Sequence, residues 1–367
     1  MKNFRKRVNS WFLAALLILG VGLASGQIFL IHAADGIVCK DYFVNHKSIE
    51  PFYGQYKMDP NVLIRVREIV LAGGELTATS QGKILLFVHG NGLPGTVSFD
   101  LDHANCSMMR YFAREGWDTF ALDFEGLGLS SRPPIMDYPL AFPEAKAPIH
   151  SDVTVNNVER IVDFISNLRG IKKVHLLGWP MGASRETPIY TIQNQDKVGK
   201  LVLYAPTYMN VGFSEGDRKK ADLFDTKVRI LPSRPSLEFW YLFGTKDETI
   251  IPGAFETCRN AMLASDPKSG ELGGMVRVPA GRYVDLLRAK KQFEASKIKV
   301  PTLVVRGAMD TWSTQADSQL LTTDLGSEVK QYVEIPNSSH FIQYQKANTQ
   351  FLKVIKDFLE AKIEAKK

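Results

Sequence analysis

The chain has 367 residues, 45% hydrophobic and 23% charged, which excludes wholesale disorder and allows one large folded domain. Its formal net charge is +6, but four of the cations lie between Lys2 and Arg7, so the remainder is nearly neutral. A nucleic-acid-binding surface would need a basic patch, and the sequence contains none outside that short segment. We therefore predict no nucleic-acid partner.

The N-terminal segment combines these cations with an apolar run, Trp11–Ala24, which is typical of a secretory signal. Small residues before Gln27 offer a cleavage site, and a later cut near Ala34 is an alternative. Because apolar residues continue to Ala34, Trp11–Ala34 is also about long enough to cross a bilayer as an uncleaved anchor. A buried soluble helix is the third interpretation. We predict an exported protein, periplasmic or secreted, with residues 1–34 as signal peptide or membrane anchor and membrane association, where it occurs, through residues 11–34.

The three cysteines, Cys39, Cys106 and Cys258, do not have the spacing of metal ligands. Two of them could pair in an exported chain, but buried free thiols are the favoured interpretation. We predict no metal and no cofactor.

Strand and helix patterns alternate along most of the chain after an irregular segment at residues 27–60. This alternation predicts an α/β fold, with a mostly parallel sheet and helices on both of its faces. We predict strands over residues 62–71, 83–89, 119–123, 174–177, 200–204, 300–306 and 329–335, and helices over residues 104–115, 153–168 and 343–362.

The stretch from residue 207 to residue 299 interrupts this alternation with charged, proline-containing and aromatic segments. Helical periodicity recurs near 253–264 and 283–294. We predict a helical cap over the carboxyl ends of the strands, where ligands bind in open α/β sheets. The cap divides the core into residues 35–206 and residues 300–367.

Two glycine-containing turns follow buried strands of the first core segment. His89-Gly90-Asn91-Gly92 can direct backbone N–H groups into a cleft, where they stabilise a negatively charged oxygen. Gly178-Trp179-Pro180-Met181-Gly182 has the strand–turn–helix context of a Gly-x-Ser-x-Gly nucleophile turn, with proline in place of serine. The flanking glycines, Gly178 and Gly182, are expected where a side chain would clash. Trp179 either lines the cleft or packs in the core.

An acid and a histidine leave successive strand ends in the second core segment, as Asp310 and then His340. This order matches the acid and base of a nucleophile–acid–histidine triad. Asp247 is a second strand-end acid, but Asp310 is favoured because it directly precedes the strand that carries the histidine.

Together these motifs resemble the α/β-hydrolase superfamily, in its esterase- or lipase-like branch with a cap, over nearly all of residues 60–365. The turn that begins at Asp123 also resembles one of that family, and Asp123 is expected to be structural. The resemblance implies an oxyanion hole formed by the N–H of Met181 and a second N–H near Asn91. It implies His340 as general base, Asp310 as its orienting acid, and a small ester-like molecule as ligand, with ester, amide, epoxide or related chemistry that needs no cofactor.

Pro180 departs from the pattern because proline has no hydroxyl and cannot form an acyl-enzyme. Its ring also fixes φ near −65°, whereas the nucleophile of such a turn is usually strained at positive φ. The turn should therefore adopt a relaxed backbone conformation, in which the Met181 N–H no longer points to the position of an oxyanion.

Four interpretations follow. The protein has lost hydrolysis and binds a ligand, or it is a hydrolase whose sequence carries a Ser-to-Pro change. In the third interpretation the protein uses His340 and Asp310 without a nucleophile. In the fourth, Ser184 replaces the missing serine. Our main hypothesis is an exported ester-hydrolase-like protein with impaired or altered covalent catalysis.

Overall fold

The computed structural model of the protein describes residues 26–34, 36–49, 52–53, 56–57, 60–138, 141, 144–209 and 214–362. The strands, in chain order, are β1 (Gly26–Ala34), β2 (Ile37–Lys47), β3 (Phe52–Tyr53), β4 (Tyr56–Lys57), β5 (Asn61–Leu71), β6 (Ile84–Val88), β7 (Asp118–Leu122), β8 (Val174–Gly178), β9 (Val198–Tyr204), β10 (Ile230–Ser233), β11 (Val276–Pro279), β12 (Thr302–Gly307) and β13 (Lys330–Ile335). The α-helices are α1 (Glu75–Ser80), α2 (Gly95–Phe99), α3 (Met108–Arg114), α4 (Ser151–Arg169), α5 (Thr187–Gln193), α6 (Glu215–Leu223), α7 (Leu237–Leu242), α8 (Ala254–Ala264), α9 (Gly281–Arg288), α10 (Gln315–Asp324) and α11 (Asn348–Glu360).

A nine-stranded sheet in the order β1-β2-β5-β7-β6-β8-β9-β12-β13 forms the centre of the described part. The strands from β7 to β13 along this order are parallel, and β1, β2 and β5 join antiparallel at one edge. The chain passes from β6 to β7 on one side and later to β8 on the other. This reversal of direction is where a crevice opens at the carboxyl ends of the strands, so the loops after β6 and β8 border it. The predicted mostly parallel α/β sheet is confirmed.

Strand β6 shows how the sheet is buried on both faces. Leu85 and Phe87 belong to one apolar cluster, whereas Ile84, Leu86 and Val88 belong to another on the opposite face. Side chains alternate between the two faces of a strand, so a continuous apolar run is required wherever helices cover both. Helices α3 and α11 cover the first face, and α4 and α10 cover the second.

The prediction of an irregular segment over residues 27–60 is wrong. Strands β1 and β2 occupy much of it, and β2 pairs with β5 along its full length. β2 carries polar residues such as Asp41, whose buried carboxylate lies 2.7 Å from the Arg65 guanidinium on β5. A hydrophobicity pattern cannot reveal such a strand, because a cross-strand ion pair neutralises its inward polar side chain.

The apolar segment Trp11–Ala34, predicted as part of a signal peptide or membrane anchor, lies only partly within the described residues. Its second part, Gly26–Ala34, is strand β1 and not a helix, while residues 1–25 lie outside the described residues. Within the part of the chain that the structure describes, no helix is both long and apolar enough to cross a membrane.

The chain between β9 and β12 corresponds to the region that was predicted as a cap. It contains helices α6 to α9. The helix predicted near 253–264 is α8, whereas the one predicted near 283–294 is α9 and ends earlier, at Arg288. The small antiparallel sheet of β10 and β11 in this region was not predicted. Each strand has four residues and contains a proline, so neither gives a recognisable strand pattern.

Candidate active site

Asp310 and His340 meet at the carboxyl ends of β12 and β13. The His340 imidazole and the Asp310 carboxylate form a hydrogen bond of 2.8 Å between Nδ1 and Oδ2. Both residues are buried, with 4% and 2% of their surfaces exposed. The acid holds one ring nitrogen, which leaves Nε2 as the basic atom for chemistry. The predicted pairing of these two residues is therefore present as a contact.

The loop that carries Asp310 is fixed by its own backbone and by one arginine. Asp310 Oδ1 accepts hydrogen bonds from the backbone N–H groups of Trp312 at 2.8 Å and Ser313 at 3.0 Å. The buried Arg306 guanidinium donates to the carbonyl oxygens of Asp310 and Ser313. One carboxylate oxygen is thus held by the loop, and the other is directed at His340.

The backbone of His340 is anchored to the core by two aromatic side chains. Its carbonyl accepts a hydrogen bond from Trp179 Nε1 at 3.1 Å and another from the Tyr204 hydroxyl at 2.8 Å. The Trp179 and Tyr204 rings stack, with centroids 5.7 Å apart. Trp179 is buried and also lines the cavity described below, so it has both of the roles that the sequence left open.

The two other acids considered above, Asp247 and Asp123, lie in different environments from Asp310. Asp247 is exposed and accepts a hydrogen bond of 2.6 Å from the Tyr241 hydroxyl. Asp123 is buried, and its carboxylate accepts the backbone N–H groups of Gly95 and Leu129 as well as a hydrogen bond from Arg65. Asp123 thus holds a turn together, as expected.

The glycines of the turn after β8 are required by close backbone packing. A Cβ atom on Gly178 would lie 2.4 Å from the Gly182 carbonyl carbon, and one on Gly182 would lie 2.2 Å from the Val88 carbonyl oxygen. Neither neighbour is a flexible side-chain end, so the backbone itself would have to shift. This confirms the expected reason for both glycines.

Pro180 occupies the centre of this turn in a relaxed conformation. Among the described non-glycine residues with positive φ, none lies between positions 178 and 186. Met181 follows with helical angles, φ −69° and ψ −35°. The proline ring packs against the loop after β6, because a Cβ on Gly90 would lie 2.2 Å from Pro180 Cδ. The ring thus fills space directly beside the predicted oxyanion loop.

Ser184 is not placed to act as a nucleophile. Its side chain is fully buried, and its hydroxyl donates to the Pro180 carbonyl at 2.8 Å while accepting the Thr207 backbone N–H at 2.9 Å. Ser184 is not among the residues that line the cavity. A hydroxyl held in this way has neither a base beside it nor access to a ligand.

The loop after β6 rests on a histidine and an arginine that lie behind it. His89 Nε2 accepts the Phe124 backbone N–H at 3.1 Å, so Nδ1 carries the proton and donates to the Gly90 carbonyl at 2.7 Å. Burial, together with the nearby Arg282, lowers the pKa of His89 to about 3. The Arg282 guanidinium also donates to the Gly90 carbonyl, at 2.8 Å. Arg282 was not predicted, because no local sequence signal marks a buried arginine in the cap.

A cavity of about 380 Å³ lies above these groups, between the core and the segment that follows β9. Asn91, Pro180, Met181 and His340 line its floor. The backbone N–H groups of Asn91 and Met181 donate to no acceptor among the described residues. The rest of the wall includes six aromatic side chains from the segment after β9 and the loops after β12 and β13: Phe239, Trp240, Phe243, Phe255, Trp312 and Phe341. The site therefore offers an apolar pocket with a base and free backbone donors on one side.

The cysteines add no nucleophile and no metal ligand to this arrangement. All three are buried free thiols, as predicted, and Cys258 lines the cavity. Burial raises the pKa of Cys258 to about 12, so this thiol remains protonated at neutral pH. Across the described residues, no group of three or more His, Cys, Asp or Glu side chains is placed to hold a metal ion.

A family model described as the alpha/beta hydrolase fold matches residues 83–347. This chain belongs to the α/β-hydrolase family. The match includes the loop after β6, the turn at Pro180, and both Asp310 and His340. A search among curated protein sequences found no match.

Solved α/β hydrolases of similar structure include three enzymes at low sequence identity. A thermophilic esterase from Thermogutta terrifontis is 14% identical, with a TM-score of 0.57 over 86% of this chain and 97% of that one. The enol-lactonase from Burkholderia xenovorans is 16% identical, with a TM-score of 0.53 over 82% and 97%. The 2-hydroxy-6-oxo-6-phenylhexa-2,4-dienoate hydrolase from a Rhodococcus species is 15% identical, with a TM-score of 0.54 over 82% and 95%. At these identities the similarity establishes the fold alone.

Proposed function

We propose that this protein binds an apolar ester-like molecule between its cap and its core, and that it cannot hydrolyse that molecule through an acyl-enzyme. The observation that carries the proposal is a buried Asp310–His340 pair that borders an aromatic cavity whose nucleophile position is Pro180. Proline supplies no nucleophilic oxygen, and the Cys258 thiol is protonated. Chemistry in the pocket would therefore consist of proton removal by His340 Nε2, from a bound ligand or from a water molecule.

The size and lining of the cavity define the ligand class. A volume near 380 Å³ with aromatic walls suits a molecule with a phenyl or short acyl group and one polar end. The polar end would lie near His340 and the backbone N–H groups of Asn91 and Met181. Arg234 and Arg259 also line the cavity and favour a ligand with partial or full negative charge.

A non-catalytic ligand-binding protein is the second candidate. The observation that favours it is the Pro180 ring against Gly90, because this contact fills part of the space beside the oxyanion loop where a reacting carbonyl would be held. In that case His340 would act as a hydrogen-bonding group for the ligand.

Hydrolysis of short-chain aryl esters distinguishes a silenced hydrolase from these alternatives. The purified wild type is compared with Pro180→Ser and with Pro180→Ser/His340→Ala. We expect strong hydrolysis in Pro180→Ser alone, because serine regains a base at its side and His340→Ala removes it. Absence of any gain in Pro180→Ser would reject the esterase-like ancestry of the site and favour a binding role.

We also propose that the protein is exported. Strand β1 favours one of the two predicted cleavage positions. Cleavage before Gln27 would leave nearly all of β1 in the mature protein, whereas cleavage near Ala34 would remove it. Because β1 pairs with β2 along the sheet edge, we expect the earlier cut. N-terminal sequencing of the exported protein checks this, and a mature chain that starts near position 34 would contradict it.

A further inference from the structure

We infer that Arg282 is a positioning residue that holds the loop after β6 so that its backbone N–H groups face the cavity. This inference rests on the proposed binding site, since the loop matters only if a ligand oxygen occupies that site. It assigns a role to a residue of the cap region that is not itself among the residues lining the cavity.

The contacts of Arg282 are directed at the loop from behind. The side chain is fully buried, and its guanidinium donates to the Gly90 carbonyl at 2.8 Å and to the His89 carbonyl at 3.3 Å. A third bond of 2.8 Å runs from Nε to the carboxylate of Glu186, which lies six residues after Pro180. One planar guanidinium therefore connects the loop after β6 with the helix after β8.

The direction of these carbonyls determines where the opposite N–H groups point. The described chain has no cis peptide bonds, and in a trans peptide the C=O and the following N–H point in opposite directions. Arg282 draws the Gly90 carbonyl away from the cavity that Asn91 lines. The Asn91 N–H is thereby turned towards the cavity, as an oxyanion site requires.

Arg282 is itself held in a fixed position. It is the second residue of α9, which begins at Gly281 in close contact with the backbone of residues 148 and 149. A Cβ on Gly281 would lie 2.6 Å from the Ile149 carbonyl oxygen. Asp285 of the same helix accepts the Ser151 backbone N–H at 2.7 Å. The arginine thus reaches the loop from a helix that is anchored to the core.

The Pro180 substitution does not remove this support. Arg282 contacts the loop and Glu186, and none of its hydrogen bonds involves residue 180. The loop can therefore still bind an oxygen that carries negative charge, even where no acyl-enzyme forms.

The first test needs no ligand and uses the His89 ring proton as its signal. His89 Nδ1 donates to the same Gly90 carbonyl that Arg282 holds, so a displaced loop would change its ¹⁵N and ¹H resonances. The variants are Arg282→Lys, which keeps the charge but not the planar fork, and Arg282→Met/Glu186→Gln, which avoids an unpaired buried carboxylate. We expect the His89 signal to shift or vanish in both variants. An unchanged signal in both overturns the inference.

The second test measures binding to the full chain of two probes with one apolar part, 2-phenylethylphosphonate and 2-phenylethanol. We expect the preference of the wild type for the phosphonate to fall at least about tenfold in Arg282→Lys, because misdirected N–H donors stabilise an anionic oxygen poorly. Arg234 and Arg259 are unchanged in every variant, so they cannot cause the difference. A preference that Arg282→Lys retains would show that charge alone matters, and it would overturn the positioning role. If the wild type binds neither probe, the proposed function fails, and the inference is decided by the His89 signal.

Discussion

The two sides of the candidate site differ in how closely they match the residue pattern of a hydrolase triad. On the acid–base side, Asp310 and His340 are hydrogen-bonded to each other, and the loop of each is fixed by further contacts. On the side of the turn after β8 the glycine packing and the arginine contact are in place, but residue 180 is a proline without a hydroxyl, and no described non-glycine residue of the turn has positive φ. The comparison teaches that the close glycine packing of such a turn is compatible with a proline at its centre. Gly178 packs against the backbone of Gly182, and Gly182 packs against the end of β6, with Pro180 between them.

The largest expected effect concerns the acid–base side, once a nucleophile is restored. In the Pro180→Ser background, Asp310→Asn should lower kcat for an aryl ester by about 10⁴-fold, because an amide cannot hold His340 in the required tautomer. Steady-state kinetics measure this. The Trp312 and Ser313 N–H groups can still bond to the amide oxygen, so the loop should persist and the loss should appear in kcat. A change of less than threefold would mean that the Asp310–His340 contact has no catalytic use.

A smaller effect concerns Trp179, which joins the two sides. Trp179→Ala should lower the free energy of unfolding by about 3–5 kcal/mol through loss of a buried ring. Trp179→Phe keeps most of the packing but loses the hydrogen bond to the His340 carbonyl, so it should cost about 1 kcal/mol from that bond. Urea denaturation measures both. Equal losses in the two variants would show that this hydrogen bond, and not the packing, connects the sides.

The smallest effect is a dependence of stability on pH. Burial lowers the pKa of His175 to about 4 and contributes to lowering that of His89 to about 3, so both remain neutral in the folded protein. In the unfolded chain they take up protons near pH 6.5. Their contribution to stability is therefore complete above pH 6.5 and is lost as the pH falls towards 4 and 3.

His175 provides the control for this dependence, because it lies outside the candidate site. Between pH 6 and 4, each such histidine should lower the free energy of unfolding by up to about 1.4 kcal/mol per pH unit. His175→Gln should flatten the curve by that amount, as measured by urea denaturation at several pH values. If the curves of wild type and variant are parallel, folding does not lower the pKa of His175.

Much of the fold and half of the site could be predicted from the sequence, for physical reasons. The run over residues 83–89 indicated a strand buried on both faces, and the order of Asp310 and His340 indicated two neighbouring strand ends. Arg282 could not be predicted, because its partner Glu186 is 96 positions away and neither residue has a local pattern. β2 was missed because ion pairs hide the inward face of the strand from a hydrophobicity pattern.

The central claim is that this site lacks only a nucleophile. Phenylmethanesulfonyl fluoride sulfonylates activated serines. Its reaction with the wild type, Pro180→Ser and Pro180→Ala can be measured by intact mass spectrometry and peptide mapping. Proline and alanine have no reactive oxygen, so we predict labelling of Pro180→Ser alone, at position 180. The Pro180→Ala variant controls for loss of the ring against Gly90. Labelling of the wild type within the cavity, or no labelling of a folded Pro180→Ser protein, would contradict the claim.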